Sequence, residues 1–130
     1  HHQLKDQSSI ASAIYNLGDL NRSLGDTSKA LAYFLQALEM DIASGDARNI
    51  AYSHNKLGYL YSDRGEFDKA AMHAQQALAL FEQIGARRDI DWARTVLAKL
   101  AMEQGDYAQA QQLLEGVIAR AQQHNHHVRE

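Results

Sequence analysis

Two rhythms run through the apolar positions of this chain. Over short stretches they return every three or four residues, as at Ile10, Ile14, Leu17 and Leu20, the spacing of one face of an α-helix. Over a longer range whole columns recur at 40-residue spacing: Ile10, Ile50 and Ile90; Leu17, Leu57 and Leu97; Leu20, Leu60 and Leu100; Ala30, Ala70 and Ala110. A unit whose apolar residues recur in fixed places cannot close a core alone, so it stacks on its copies and presents an extended ridged surface. Surfaces of that kind bind other proteins.

Polar punctuation divides each unit into two helices. Gly25, Gly65 and Gly105 share a column and suit the left-handed position after a helix C-terminus, where a Cβ would cost about 1 kcal/mol. The acid after each glycine (Asp26, Glu66, Asp106) stands at the start of the next helix, where negative charge meets the positive dipole end. The spacing predicts first helices over about 8–24, 47–64 and 87–104 and second helices over about 27–44, 67–84 and 107–124. Repeats are expected over residues 10–49, 50–89 and 90–130, with 1–9 in the phase of an earlier repeat's tail. Residues 121–130 occupy the same junction slot, so the expectation is a single domain from a larger protein. His1-His2 fits native sequence and the remnant of a purification tag equally well.

Composition narrows the function classes more than the fold. The 130 residues contain no Pro, and Ala, Leu, Gln, Glu and Lys favour helix nearly everywhere between the glycines. With a net charge of −3 and no run of Lys or Arg, the electrostatic footprint of a phosphate backbone is missing and nucleic acid is not expected as a partner. No stretch reaches the ~18 consecutive apolar residues of a membrane span, and no signal-peptide pattern opens the chain. A cytoplasmic location away from the membrane is the expectation. Zero Cys excludes a disulfide framework and thiolate metal sites.

The columns resemble the tetratricopeptide repeat, a helix-turn-helix unit of about 34 residues with the pattern W-x2-L-G-x2-Y, then A-x3-F, then P. Unit one offers Ile14, Leu17, Gly18 and Asn21, then Ala30 and Phe34; unit two offers His54, Leu57, Gly58 and Tyr61, then Ala70 and Ala74. Unit three has Arg94, Leu97, Ala98 and Ala101, then Ala110 and Leu114. The small residues Gly18, Gly58 and Ala98 and the column of Ala30, Ala70 and Ala110 fall where paired helices approach closely. Thr27, Phe67 and Tyr107 after the turn complete the likeness. Two departures are clear: the period is 40, and Ile42, Glu82 and Gln122 fill the terminal Pro slot. Longer helices are therefore expected, with connectors carried by Gly45-Asp46 and Gly85-Ala86. Such long units look like those of cell-polarity and G-protein adaptor proteins and of bacterial regulators.

The resemblance implies an all-α fold, a right-handed α-solenoid of three helix-turn-helix hairpins. It also implies a protein-protein interaction module of a larger regulatory or scaffold protein, whose first helices line a concave groove for a peptide or helix. Carried onto this chain, the partner-binding positions are Tyr15, Asp19 and Arg22, then Tyr52, Asn55 and Tyr59, then Trp92, Lys99 and Met102. Their spacing returns them to one side of each helix. Packing between units is the competing role for Tyr15, Tyr52, Tyr59 and Trp92. Chaperone-binding relatives clamp a C-terminal carboxylate with Lys and Asn; Tyr15 and Asp19 stand in those places here, which disfavours that role.

Chemistry beyond binding is weakly signalled. The motifs of nucleotide loops, metalloproteases and cysteine nucleophiles are missing, and the carboxylates cluster at helix starts where capping explains them. No enzymatic activity and no cofactor are expected. His124, His126 and His127 invite a metal reading, but a frayed tract rarely supplies fixed geometry, so no metal site is expected. His54 and His73 have no partner at i+4 on their own helices and are expected to be ordinary surface or interhelical residues. The alternative to peptide capture is self-association as a homodimer through exposed ends, here Ile10, Ile14 and Leu17 on the first helix and Leu113, Leu114, Val117 and Ile118 on the last.

Overall fold

The computed structural model describes the backbone of residues 2–129 and the side chains of 6–123 together with Asn125. Six helices follow one another: α1 His2–Ser23, α2 Thr27–Ser44, α3 Ala47–Asp63, α4 Phe67–Ile84, α5 Arg87–Glu103 and α6 Tyr107–Arg129. Among the described residues there is no strand. Four helices match the expected bounds to within a residue, because glycine stops them: Gly45 and Gly85 sit at φ of 77° and 68°, a region a Cβ disfavours.

The outer helices run further than the sequence predicts. In the column of Gly45 and Gly85 the chain has Lys5 and Asn125. Without a glycine there, α1 extends back to His2 and α6 on to Arg129. Residues 2–9 therefore continue into α1 without a break.

Capping follows the acids, with one exception. Asp26, Asp46 and Asp106 each accept from the backbone N–H three residues on, satisfying a donor that the helix start leaves free. Glu66 makes no such bond; it pairs instead with Arg64 at 2.8 Å and Lys69 at 3.4 Å. The longer Glu side chain reaches out to these cations, and the Arg64 hydrogen bond holds its carboxyl below the usual range.

Each helix packs on the next, and α3 also reaches α5. Phe34, Leu57, Leu60 and Phe81 are fully buried at the joints. The small-residue column sets how closely the helices approach. A Cβ on Gly18 would stand 2.5 Å from Cε1 of Phe34, and one on Gly58 would stand 3.3 Å from the carbonyl oxygen of Ala70. Paired helices at this separation bring the first helices of the three units side by side, which is what assembles a shared face.

Candidate functional site

Four aromatic side chains from α1, α3 and α5 form one row across the three units. The rings of Tyr15 and Tyr52 lie 5.4 Å apart at 82°, and Tyr52 and Trp92 lie 5.6 Å apart. Trp92 then meets Tyr59 at 6.0 Å, and its indole N–H donates to the Tyr59 hydroxyl at 2.8 Å. Edge-to-face and tilted contacts suit the ring quadrupoles, at about 0.5–1.5 kcal/mol per pair beyond area burial. Phe34 and Phe81 support the row, each 6.4 Å from Tyr15 and Trp92 respectively. Tyr52 is exposed, whereas Tyr15, Tyr59 and Trp92 are half-buried. Packing between units and presentation to solvent are thus combined in the same side chains.

Charged groups frame this row. Arg22 lies 5.4 Å over the Tyr59 ring and pairs with Asp63. Lys56 lies 3.0 Å from Asp19 and 5.4 Å from the Tyr52 ring. Both ion pairs tie α1 to α3. Lys56 escaped the sequence reading although it shares a helix face with Tyr52 and Tyr59, four residues after one and three before the other. Lys99 and Met102 are exposed and make no hydrogen bond, ion pair or ring contact with the row.

Asn55 departs from the expected groove role. Its side chain is fully buried and neither amide atom has a partner, so it is not presented to a ligand at the surface. The repeat register supplies a reason. Tyr15, in the equivalent column, donates its hydroxyl to Asp41, 26 residues further on. The residue at that separation from Asn55 is Phe81, which accepts nothing.

Asp41 itself is 4% exposed and accepts from the Ser53 hydroxyl at 2.9 Å as well as from Tyr15. Burial first, and then the bond to Asp41, push the Tyr15 phenol far above its ordinary pKa. The phenol therefore keeps its proton and stays a donor. One buried carboxylate thus gathers α1, α2 and α3.

His54 and His73 take the interhelical role, each as the other's partner. Their rings stack at 5.2 Å with the Nδ1 atoms 3.0 Å apart, and Tyr61 covers His73 at 5.4 Å. Burial lowers both imidazole pKa values, and burial together with the neighbouring His54 takes His73 to about 4. At neutral pH both rings are uncharged, one nitrogen donating and the other accepting. Among the described residues no three of His, Cys, Asp and Glu come together. The side chains of His124, His126 and His127, like His1-His2, lie outside the described residues.

The end faces are only partly as expected. Leu114 and Ile118 are 38% and 56% exposed, while Leu113 packs against the core and Val117 is half-buried. On α1, Ile10 is 51% and Leu17 40% exposed, but Ile14 is 8% exposed and turned inward. No described helix is long and apolar enough to cross a membrane.

A family model described as tetratricopeptide repeat matches residues 9–83, and a second of the same description matches residues 61–129. No curated protein matches the chain. Among solved structures, the chain is similar to BtubC (BKLC) from P. vanneervenii, with a TM-score of 0.84 at 21% identity over 89% of this chain and 48% of that one. The TPR domain of Arabidopsis FLU has a TM-score of 0.81 at 20% identity, covering 90% of this chain and 98% of that domain. The apo form of RapI has a TM-score of 0.83 at 22% identity, over 92% of this chain and 43% of that one. The chain thus spans under half the length of BtubC and of RapI. At these identities the likeness speaks for the fold.

Proposed function

The chain belongs to the tetratricopeptide repeat family, whose domains are protein-interaction modules, and on that premise we propose that it captures a peptide or short helix of a partner protein. The binding surface is the concave groove lined by α1, α3 and α5, and the module serves a larger regulatory or scaffold protein. The observation that carries this reading is the aromatic row of Tyr15, Tyr52, Trp92 and Tyr59, continuous across all three units. Large, rigid aromatics framed by charges are the usual centre of an interface, because they bury much area while losing little side-chain freedom.

Tyr52, Tyr59 and Trp92 serve as anchors, and Arg22, Asp19 and Lys99 as polar contacts. Arg22 and Asp19 are held in partly exposed ion pairs, which are worth about 0.2–1 kcal/mol and exchange readily for ligand contacts. Met102 offers an adaptable thioether at one end of the face. Tyr52→Ala tests the reading at the most exposed ring of the row. Peptides selected on the wild-type protein should bind the variant at least about tenfold more weakly; equal binding by the folded variant would remove the groove assignment.

A second reading rests on the exposure of Leu114 and Ile118 on α6. Self-association through that face would make the chain an oligomerisation module. Sedimentation equilibrium decides it: a dimer that Leu114→Asn with Ile118→Asn dissociates supports this reading, and a monomeric wild-type protein removes it.

A further inference from the structure

We infer that the joint between the first two hairpins is a cation-binding cleft that takes the ammonium or guanidinium group of a basic side chain. A cleft of about 610 Å3 opens there between α1, α2 and α3. Its lining residues include Asp41, Asp46, Tyr15 and Tyr52, with no Lys, Arg or His among them.

Asp41 is the acid that would meet the cation. Both hydroxyl donors, from Tyr15 and Ser53, go to its Oδ2, and no described cation pairs with it. Among the described residues only the two amide atoms of Asn55 are sealed from solvent without a partner. The Oδ1 of Asp41 receives neither hydroxyl, and the residue lines the cleft. A carboxylate taken out of water with neutral donors alone forfeits much of its solvation, and an opposite charge is what restores it.

The fold does not require a charge at this place. In the equivalent column of the next unit stands Phe81, fully buried against Ala51, Ala93 and Ile90. Ala93 takes the place of Ser53 there, and Asn55 the place of Tyr15. The second joint thus centres on a buried phenylalanine beside the sealed amide of Asn55, and the first, open to the cleft, has three column changes converging on a single acid. Each feature of the open joint suits an alkyl cation. Oδ1 offers a charge-assisted acceptor, and the tyrosine rings offer negative faces. Lys56 already lies 5.4 Å over the Tyr52 ring, which shows that this ring accommodates a cation.

Tyr15 and Tyr52 belong both to the cleft and to the aromatic row, so the inference deepens the peptide-capture reading and rests on it for the source of the cation. The test uses the full chain and three probes: a blocked tripeptide with a central arginine, the same tripeptide with citrulline, and agmatine. Titration is followed by NMR at the tyrosine ring resonances. The arginine tripeptide should bind at least about tenfold more tightly than its neutral citrulline twin. Asp41→Asn, which keeps an acceptor for both hydroxyls, should abolish that preference, and Asp41→Phe, which copies the second joint, should abolish binding. Equal binding of the arginine and citrulline probes to the wild-type protein overturns the inference whether or not the variants fold. So does a preference that survives Asp41→Asn. Agmatine separates the two readings: if it binds through Asp41 while longer peptides are not captured, the cation site stands and only the peptide groove falls.

Discussion

The first hairpin, α1 and α2, and the middle hairpin, α3 and α4, are built on the same columns and meet different surroundings. Leu17 and Leu20 are 40% and 54% exposed, whereas their equivalents Leu57 and Leu60 are fully buried. The middle hairpin has a neighbour on each side, while α1 packs on α2 alone among the major helix contacts. In a stacked array, residue identity sets what a column can do, and the neighbouring unit sets what it is worth. Columns whose identity changes carry a different lesson. Ile14 and Tyr33 of the first hairpin become His54 and His73 in the middle one, and Asp41 becomes Phe81. The middle hairpin thereby gains a stacked imidazole pair, and the joint before it keeps a buried carboxylate.

The largest expected effect sharpens the contrast in burial. Leu57→Ala or Leu60→Ala should destabilise the protein by about 2–5 kcal/mol, the range for a leucine removed from a packed core. Leu17→Ala and Leu20→Ala should cost under about 1 kcal/mol each, measured by urea unfolding of the four variants side by side. Equal losses in both hairpins would break the comparison.

Next comes the close approach at Gly18. A Cβ there would stand 2.5 Å from the Phe34 ring, so Gly18→Ala should cost about 1–3 kcal/mol by overpacking. The middle hairpin has Ala74 in the column of Phe34. In a Phe34→Ala background the Gly18→Ala penalty should therefore largely disappear, which a double-mutant cycle reads directly.

The histidine pair gives the middle hairpin a pH dependence that the first lacks. Both folded-state pKa values lie below the ordinary 6.5, with His73 at about 4. The unfolded chain therefore binds more protons through this range. The stabilisation is complete above about pH 6.5 and is lost as pH falls toward about 4. His54→Ile with His73→Tyr, the pair found in the first hairpin, should flatten that part of the stability profile. An unchanged slope would exclude these rings as its source.

The smallest effect concerns the bridges between the two hairpins. Arg22→Ala or Lys56→Ala should lower stability by no more than about 1 kcal/mol, and the difference should shrink in high salt. A larger, salt-independent loss would mean that the two hairpins are held together by these charges more than by Phe34 and Leu57.

Much of the fold was legible in the sequence because its signals are local. The glycine columns end α2 and α4 where expected, and the missing glycines at Lys5 and Asn125 explain why α1 and α6 run on. Part of the site was legible for the same reason: Tyr52 and Trp92 stand in one column and meet across adjacent units. What escaped depends on contacts between helices. Whether Asn55 faces solvent, or His54 meets His73, is decided by the rotation of one helix against the next, which a period of three or four residues leaves open. Asp41 did carry a signal. An acid in a column where the next unit has Phe81 marks a joint of different chemistry, and comparing columns across repeats for polarity as well as likeness would have found it.

The central claim is that the aromatic row is the surface a partner contacts, and Trp92, the single tryptophan of the chain, reports on it directly. Peptides selected from a random library on the immobilised protein should be titrated into it while the emission of Trp92 is followed. The account predicts that bound peptides shift or quench that emission and that Tyr52→Ala weakens both signal and binding together. Peptides that bind tightly while Trp92 emission stays unmoved, and that bind Tyr52→Ala equally well, would place the binding surface elsewhere.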